Sequence, residues 1–119
     1  MIKFKDISLV FAGGSVALSN ITTNIADGEF VYLIGPSGSG KSSFLKIIYK
    51  ELIPTNGNVE VTGLDVNDLA RWRLPLLRRK LGIVLQEPKL LKDRTVSENI
   101  AFAMEKEIDF KQSLNRWWE

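Results

Sequence analysis

The chain has 119 residues, of which 45% are hydrophobic and 25% charged, a composition typical of one soluble globular domain. It contains no cysteine and no histidine, which excludes disulfides, thiolate chemistry, imidazole catalysis and most zinc sites. The formal net charge of +2 is too small to indicate a nucleic-acid-binding protein by itself.

A bulged strand is predicted at the start of the chain. Ile2 and Phe4 alternate with polar residues, and so do Ile7, Leu9 and Phe11, but the two sets are out of phase. A β-bulge between Phe4 and Ile7 would bring both sets to one face of the strand.

Two more strands are predicted before the glycine-rich segment at residue 35. After a turn at 12–15, alternation over Leu18–Ile25 predicts a half-buried strand, and Asp27-Gly28 predicts the turn of a β-hairpin. The run Phe30–Ile34 is almost wholly apolar, which is typical of a strand covered on both faces in a parallel α/β sheet.

A helix is predicted over Lys41–Leu52, and it ends before Pro54 because the residue preceding proline disfavours the α region. Its apolar face would comprise Phe44, Leu45, Ile48 and Leu52. A short strand is predicted at Val59–Val61, after a turn at 54–57.

The rest of the chain predicts two helical segments and one strand. Leu69, Trp72 and Leu76 have helical spacing, which Pro75 interrupts. Leu81–Leu85 is a second nearly continuous apolar strand. The sequence Thr95-Val96-Ser97-Glu98 is a capping box that would open a helix running through Met104.

The segment Gly35-Pro36-Ser37-Gly38-Ser39-Gly40-Lys41-Ser42 matches the phosphate-binding P-loop pattern in full. Glycines let the backbone wrap closely around phosphate oxygens, and successive N–H groups form an anion nest at the start of a helix. Lys41 would supply a positive charge to the β- and γ-phosphates, and the Ser42 hydroxyl would ligate Mg²⁺. A glycine- and serine-rich surface turn is the alternative, but the strand before the segment and the helix after it favour a phosphate site.

Around this loop the sequence resembles the ATP-binding-cassette (ABC) ATPases. The resemblance is carried by Ala17–Ile21 and Gly28–Phe30 before the loop, and by Leu81–Gln86 after it. It implies an α/β P-loop NTPase fold, namely the N-terminal half of an ABC nucleotide-binding domain with an antiparallel β-region and part of a parallel sheet. Residues 1–104 would form this partial domain, and residues 105–119 are a tail without resemblance.

The resemblance also implies roles for site residues. Phe11 would stack on adenine, with Val16 lining the base site, and the alternative for each is packing into the sheet. Ser43 would extend the phosphate site beyond Ser42. Gln86 would be the catalytic Q-loop residue that contacts Mg²⁺ and the attacking water, unless it is simply a solvated strand end. ATP and Mg²⁺ are the implied cofactors.

The segments Leu76–Gly82 and Leu90–Asn99 are similar to the FtsE-type cell-division branch of the ABC family. This similarity implies a membrane-spanning FtsX-type partner, a homodimer in the full-length family, no nucleic acid, and a cytoplasmic location on the inner face of the cell membrane. Importer and lipoprotein-release ATPases have related segments and remain alternatives.

A basic cluster precedes the second apolar strand and has two interpretations. It could be a solvated face, or it could lie near anionic lipid headgroups. Its members are Arg71, Arg73, Arg78, Arg79 and Lys80.

The 119 residues lack the family's signature motif, its Walker B strand and its switch histidine, so we expect no appreciable ATP hydrolysis by the chain alone. We also expect Phe30–Ile34 and Leu81–Leu85 to expose apolar surface, because their neighbouring strands belong to the missing part. An inactive nucleotide-binding remnant is one alternative. A guanylate-kinase-like enzyme is another, but its P-loop would follow the first strand, whereas two predicted strands precede this one.

Overall fold

A computed structural model describes residues 1–87 and 89–102. The chain divides into two compact units, Met1–Gly82 and Ile83–Glu119, and each is described by itself. Among the described residues, no helix has the length and apolarity needed to cross a bilayer. The predicted end of the last helix at Met104 and the tail at 105–119 lie outside the described residues.

The first unit is built on a four-stranded antiparallel sheet. Its strands are β1 (Ile2–Val10), β2 (Val16–Ile25), β3 (Asn56–Val61) and β4 (Leu64–Asp65), in the spatial order β2-β1-β3-β4. Strand β1 is central and pairs with both β2 and β3. The 12–15 turn joins β1 to β2, as the sequence predicts, and Phe11 N donates to Ser15 O across it at 2.9 Å.

The predicted bulge in β1 is confirmed. The register against β2 shifts between Phe4 and Ile7, and Asp6 there has a φ of 51°, in the left-handed region. The Asp6 backbone N–H donates to the Thr22 hydroxyl at 2.9 Å, which satisfies a group that the regular ladder leaves unpaired. As a result Phe4, Ile7 and Leu9 are all buried on one face.

Helix α1 (Lys41–Ile48) packs on this buried face, and the rings of Phe44 and Phe4 lie 4.4 Å apart. The helix is shorter than the predicted Lys41–Leu52, because Lys50 adopts a left-handed φ of 55° and ends it. Its buried face also differs from the prediction, since Ile47 is buried and Leu45 is exposed. The core residues are Phe4, Ile7, Leu9, Leu18, Phe44, Ile47, Ile48, Val59, Val61, Val66, Leu69 and Leu77.

A 3₁₀ turn (Arg71–Arg73) and helix α2 (Leu74–Arg79) complete the first unit. Pro75 lies in the first turn of α2, where its missing N–H costs nothing, so it begins the helix and does not interrupt it. Leu77 is fully buried, whereas Trp72, which the helical spacing placed with Leu69 and Leu76, is exposed.

In the second unit, residues 96–102 form a helix, α3, and the predicted capping box at its start is confirmed. Thr95 N donates to the Glu98 carboxylate at 2.7 Å, and Glu98 N donates to the Thr95 hydroxyl at 3.2 Å. Asn99 folds the preceding loop against the helix, because its side-chain amide donates to the carbonyls of Leu91, Arg94 and Thr95 and accepts from Leu91 N.

Two predicted strands are absent from the described residues. Neither 30–34 nor 81–85 is assigned as a strand, and neither pairs with the four-stranded sheet. A strand exists only through pairing with a neighbour. These segments find none among the described residues. Leu81 packs partly against the core, but the other apolar side chains of both segments stay exposed, up to 85% at Ile34 and 99% at Val84.

Candidate functional site

The segment 35–40 forms a compact loop between the apolar run and helix α1. Ser39 N donates to Pro36 O at 3.2 Å, which closes a turn over Pro36–Ser39. Gly38 and Gly40 adopt φ values of 79° and 96°, a region in which side chains are strained. The backbone path therefore requires glycine at positions 38 and 40.

Gly40 is also required by packing. A Cβ built at this position would overlap the carbonyl oxygen of Ala17 and would come within 3.0 Å of the Leu18 side chain. The loop therefore rests directly on strand β2, and any side chain at residue 40 would push the two apart. At the other end of the loop, a Cβ at Gly35 would lie 2.6 Å from the Ser39 hydroxyl.

The Lys41 ammonium lies inside the loop. It donates to the carbonyl oxygens of Gly35 at 2.6 Å and Pro36 at 2.7 Å, and to the Ser39 hydroxyl at 3.3 Å. These contacts aim a full positive charge at the region enclosed by the loop backbone. Their effect is to fix the loop's shape and to hold a positive charge against the loop backbone.

The first turn of α1 offers further groups for an anion. The N-cap is Gly40, which has no side chain to accept a hydrogen bond from the first N–H groups, and the first turn has no acidic residue. The helix therefore begins with its N–H groups and dipole uncompensated by carboxylates. Ser42 is exposed and Ser43 half-buried, both within this turn.

Phe11 and Val16 flank the turn that joins β1 to β2. Both side chains lie outside the core, with 42% of Phe11 and 61% of Val16 exposed. The alternative interpretation, in which these two side chains pack into the sheet, is therefore wrong. The exposed ring of Phe11 has a face on which a planar base could stack.

Gln86 lies in the second unit, four residues after Gly82, and its side chain is exposed. It follows the apolar residues 83–85, which are not a strand, so it is not at a strand end. The site residues from 11 to 43 all belong to the first unit.

Two polar contacts escape the sequence-based predictions. The Ser39 hydroxyl accepts a hydrogen bond from Lys41, and apart from its place in the motif nothing in the sequence indicates this contact. Lys50 donates to the carbonyls of Asn67 at 3.2 Å and Leu69 at 2.7 Å, which joins the end of α1 to the following loop. A lysine after a helix is common, and nothing in the sequence distinguishes this one.

The donor set fits a nucleotide phosphate chain with a magnesium ion. Glycine backbone N–H groups and an ammonium suit phosphate oxygens. Mg²⁺ characteristically takes one or two protein oxygens and completes its shell with phosphates and water, so the Ser42 hydroxyl is a suitable ligand. Among the described residues, no cluster of three or more acidic side chains could hold a metal by itself.

Comparison with known proteins agrees with this geometry. The family described as ABC transporter matches residues 18–118. The cell division ATP-binding protein FtsE of Bacillus subtilis is 45% identical over 105 residues, which cover 88% of this chain and 46% of that protein. FtsE of Mycobacterium tuberculosis is 47% identical over 89 residues, 75% of this chain and 39% of that protein. FtsE of Escherichia coli K12 is 38% identical over 104 residues, which cover 87% of this chain and 47% of that protein.

Solved structures give the same result. The ATP-binding cassette MJ0796, in a dimeric post-hydrolysis state bound to ADP and Pi, aligns with a TM-score of 0.76 and 41% identity. The alignment covers 83% of this chain and 44% of that one. The chain thus spans about half the length of the proteins it matches. By its motif, its fold and these similarities, the chain belongs to the ABC transporter family and resembles the FtsE-type ATPases.

Proposed function

We propose that this chain binds ATP with Mg²⁺ through the loop and first helical turn at residues 35–43. The observation that carries the proposal is the position of the Lys41 ammonium, which is held on the Gly35 and Pro36 carbonyls inside a loop that closes onto the N-terminus of α1. The similarity to a cassette solved with ADP and Pi supports the same ligand class.

Bound triphosphate would draw the Lys41 ammonium onto its β- and γ-phosphate oxygens, while the loop N–H groups would donate hydrogen bonds to the other phosphate oxygens. Ser42 would contribute one oxygen to Mg²⁺. Phe11 and Val16 would receive the adenine ring, and this assignment rests on their exposure and on the family resemblance. The role of Gln86 as a contact to Mg²⁺ and the attacking water stays a prediction of the family resemblance.

The proposal extends to partners at the level of the family. The family resemblance implies a membrane-spanning partner of the FtsX type and a homodimer, and the similarity to a cassette solved as a dimer supports the homodimer. We propose that such a partner would hold this chain at the cytoplasmic face of a membrane. The boundary between a cassette portion at 1–104 and a tail at 105–119 stays a proposal, although the family match continues to residue 118.

Calorimetric titration of Mg-ATP into the 119-residue chain tests the proposal. The Lys41→Ala variant should bind about tenfold to hundredfold more weakly, because a charge-assisted hydrogen bond contributes about 1.5–3 kcal/mol. Lys46→Ala is the matched control, since it removes the same charge from the last turn of the same helix. It should bind as the parent does.

Equal losses in the two variants would mean that only general charge attracts the nucleotide, and the proposed site would be wrong. No binding by a soluble, folded parent chain would also contradict the proposal. GMP phosphorylation by the chain would instead favour the guanylate-kinase-like alternative. A turnover of ATP comparable to a full-length ABC ATPase would contradict the expectation that this chain alone does not hydrolyse it.

A further inference from the structure

A basic patch with one aromatic ring lies on the first unit, in sequence well removed from the nucleotide loop. It comprises the 3₁₀ turn and the exposed side of α2, and its residues are Arg71, Trp72, Arg73, Arg78, Arg79 and Lys80. We propose that this basic patch binds directly to the surface of an anionic lipid membrane, with Trp72 at the level of the headgroups.

The fold holds the patch outward. Leu77 is fully buried and Leu74 packs partly against the core, so α2 is fixed along one side. All six patch residues are exposed on the rest of its surface, and 78% of Trp72 is exposed. An indole this exposed contributes little to the core. Its insertion into a membrane interface would remove apolar surface from water, which is favourable.

Three of the five positive charges in the patch have no oppositely charged partner among the residues that the structure describes. No ion pair involves Arg71, Arg73 or Lys80 within the described part of the chain. Arg78 Nε donates to the Tyr49 carbonyl at 3.1 Å, which leaves its charge unneutralised. The nearest acidic residue before the patch in sequence is Asp68, so residues 68–80 carry five cations and one carboxylate.

The combination of residue types favours lipid over nucleic acid. Arg73 lies 5.8 Å from the centre of the Trp72 ring, so a cation and an amphipathic ring are presented together. Tryptophan is enriched where one side of a ring meets hydrocarbon and the other meets water, which is the headgroup level. A single-stranded nucleic acid would require several rings along a groove, and this patch has one ring on a segment about 15 Å long.

Sedimentation with phospholipid vesicles tests this inference without nucleotide. The chain should pellet with vesicles rich in phosphatidylglycerol and should remain in solution with pure phosphatidylcholine. Added salt should release it, because surface charges are screened within about 10 Å at 0.1 M salt. Each lost cation should weaken partitioning about fivefold, the equivalent of about 1 kcal/mol.

The test variant is Arg71→Gln with Arg73→Gln, which should partition about 25-fold more weakly by the same estimate. The matched control is Lys3→Gln with Lys5→Gln, which removes the same charge from exposed positions on β1. A further variant, Trp72→Ala, leaves the charge unchanged and should also weaken binding. All four changed side chains of the two double variants, and Trp72, are exposed, so circular dichroism should show unchanged folding.

Equal loss in the two double variants would overturn the proposal, because net charge alone would then explain the binding. Binding to a DNA or RNA oligonucleotide that the Arg71/Arg73 variant loses, without binding to vesicles, would also overturn it. Ser42→Ala, a change at the nucleotide site without a change in charge, should bind vesicles as the parent does. Failure of vesicle binding and failure of ATP binding are thus separate results.

Discussion

At the scale of single residues, the nucleotide loop depends on glycine at position 40 for two independent reasons. Its backbone has a φ of 96°, and its α-hydrogen faces the Ala17 carbonyl of strand β2. Gly38 has a similar φ of 79° but no atom within 4 Å of a built Cβ. An alanine at position 38 would therefore cause backbone strain alone, whereas an alanine at position 40 would cause both strain and steric overlap.

Gly40→Ala should destabilise the fold more than Gly38→Ala. Strain alone costs about 1–2 kcal/mol for an alanine in the left-handed region, and overlap with packed neighbours adds about 1–3 kcal/mol. Urea unfolding of both variants measures the difference. Gly40→Ala should also weaken binding of Mg-ATP, because the loop must move away from β2. Equal unfolding free energies for the two variants would contradict this account.

The motif residues of the site could be predicted from sequence, but their contacts could not. The pattern at Gly35–Ser42 identifies the loop, because glycine spacing and the following lysine are local properties. That the ammonium of Lys41 lies on the Gly35 and Pro36 carbonyls depends on the three-dimensional path of the loop. The exposure of Phe11 depends in the same way on where the 12–15 turn places the end of β1.

At the scale of elements, local signals predicted boundaries well where a side chain satisfies the backbone. The capping box fixed the start of α3, and the change of phase between Phe4 and Ile7 fixed the bulge in β1. The predicted end of α1 at Leu52 was wrong. Lys50 takes a left-handed conformation, which at helix ends is usual for glycine or asparagine and is not expected of a lysine. Contacts of its ammonium with the Asn67 and Leu69 carbonyls, made by tertiary folding, support that conformation.

The capping box makes the start of α3 sensitive to acid. The backbone N–H of Thr95, and secondarily its hydroxyl, hold the pKa of Glu98 below its ordinary value. A carboxyl with a lowered folded pKa stabilises the fold above its unfolded pKa, and this contribution is lost as pH falls through the folded value. The protection factors of the amides at the start of α3, which are corrected for the intrinsic pH dependence of exchange, should therefore fall as the solution is acidified through the Glu98 titration.

The Glu98→Gln variant should remove most of that pH dependence, because its amide oxygen still accepts from Thr95 N but does not titrate in this range. Thr95→Ala should destabilise α3 by about 1 kcal/mol at neutral pH through loss of the N-cap. NMR titration of the Glu98 carboxyl and exchange of the 96–102 amides measure both effects. An unchanged acid response in Glu98→Gln would exclude Glu98 as its source.

At the scale of the whole molecule, the antiparallel sheet with α1 forms a core, whereas the apolar run at 30–34 remains uncovered. The sequence identified Phe30–Ile34 as a strand needing cover on both faces, and the structure supplies no paired neighbour for it among the described residues. The prediction of strand was wrong here although the apolar pattern was correctly recognised, because pairing is a property of the whole fold. The rings of Phe30 and Tyr32 lie 5.0 Å apart, edge to face, which places two aromatic side chains of the run together on one exposed surface.

This exposed aromatic surface should govern self-association of the chain and contribute little to its unfolding free energy. Phe30 and Tyr32 are 83% and 79% exposed, so replacing both by threonine removes apolar area that is already in water. The double variant should sediment as a smaller species than the parent at equal concentration, and its melting temperature should stay close to that of the parent. Ile53→Thr, at a position 64% exposed, is the control for loss of a single apolar side chain elsewhere. By contrast, Phe4→Ala should cost about 3–5 kcal/mol, because Phe4 is buried against Phe44 in the core. A large fall in the melting temperature of the Phe30/Tyr32 variant would mean that residues 30–34 are packed against the protein in solution, which would contradict the exposure that the structure shows.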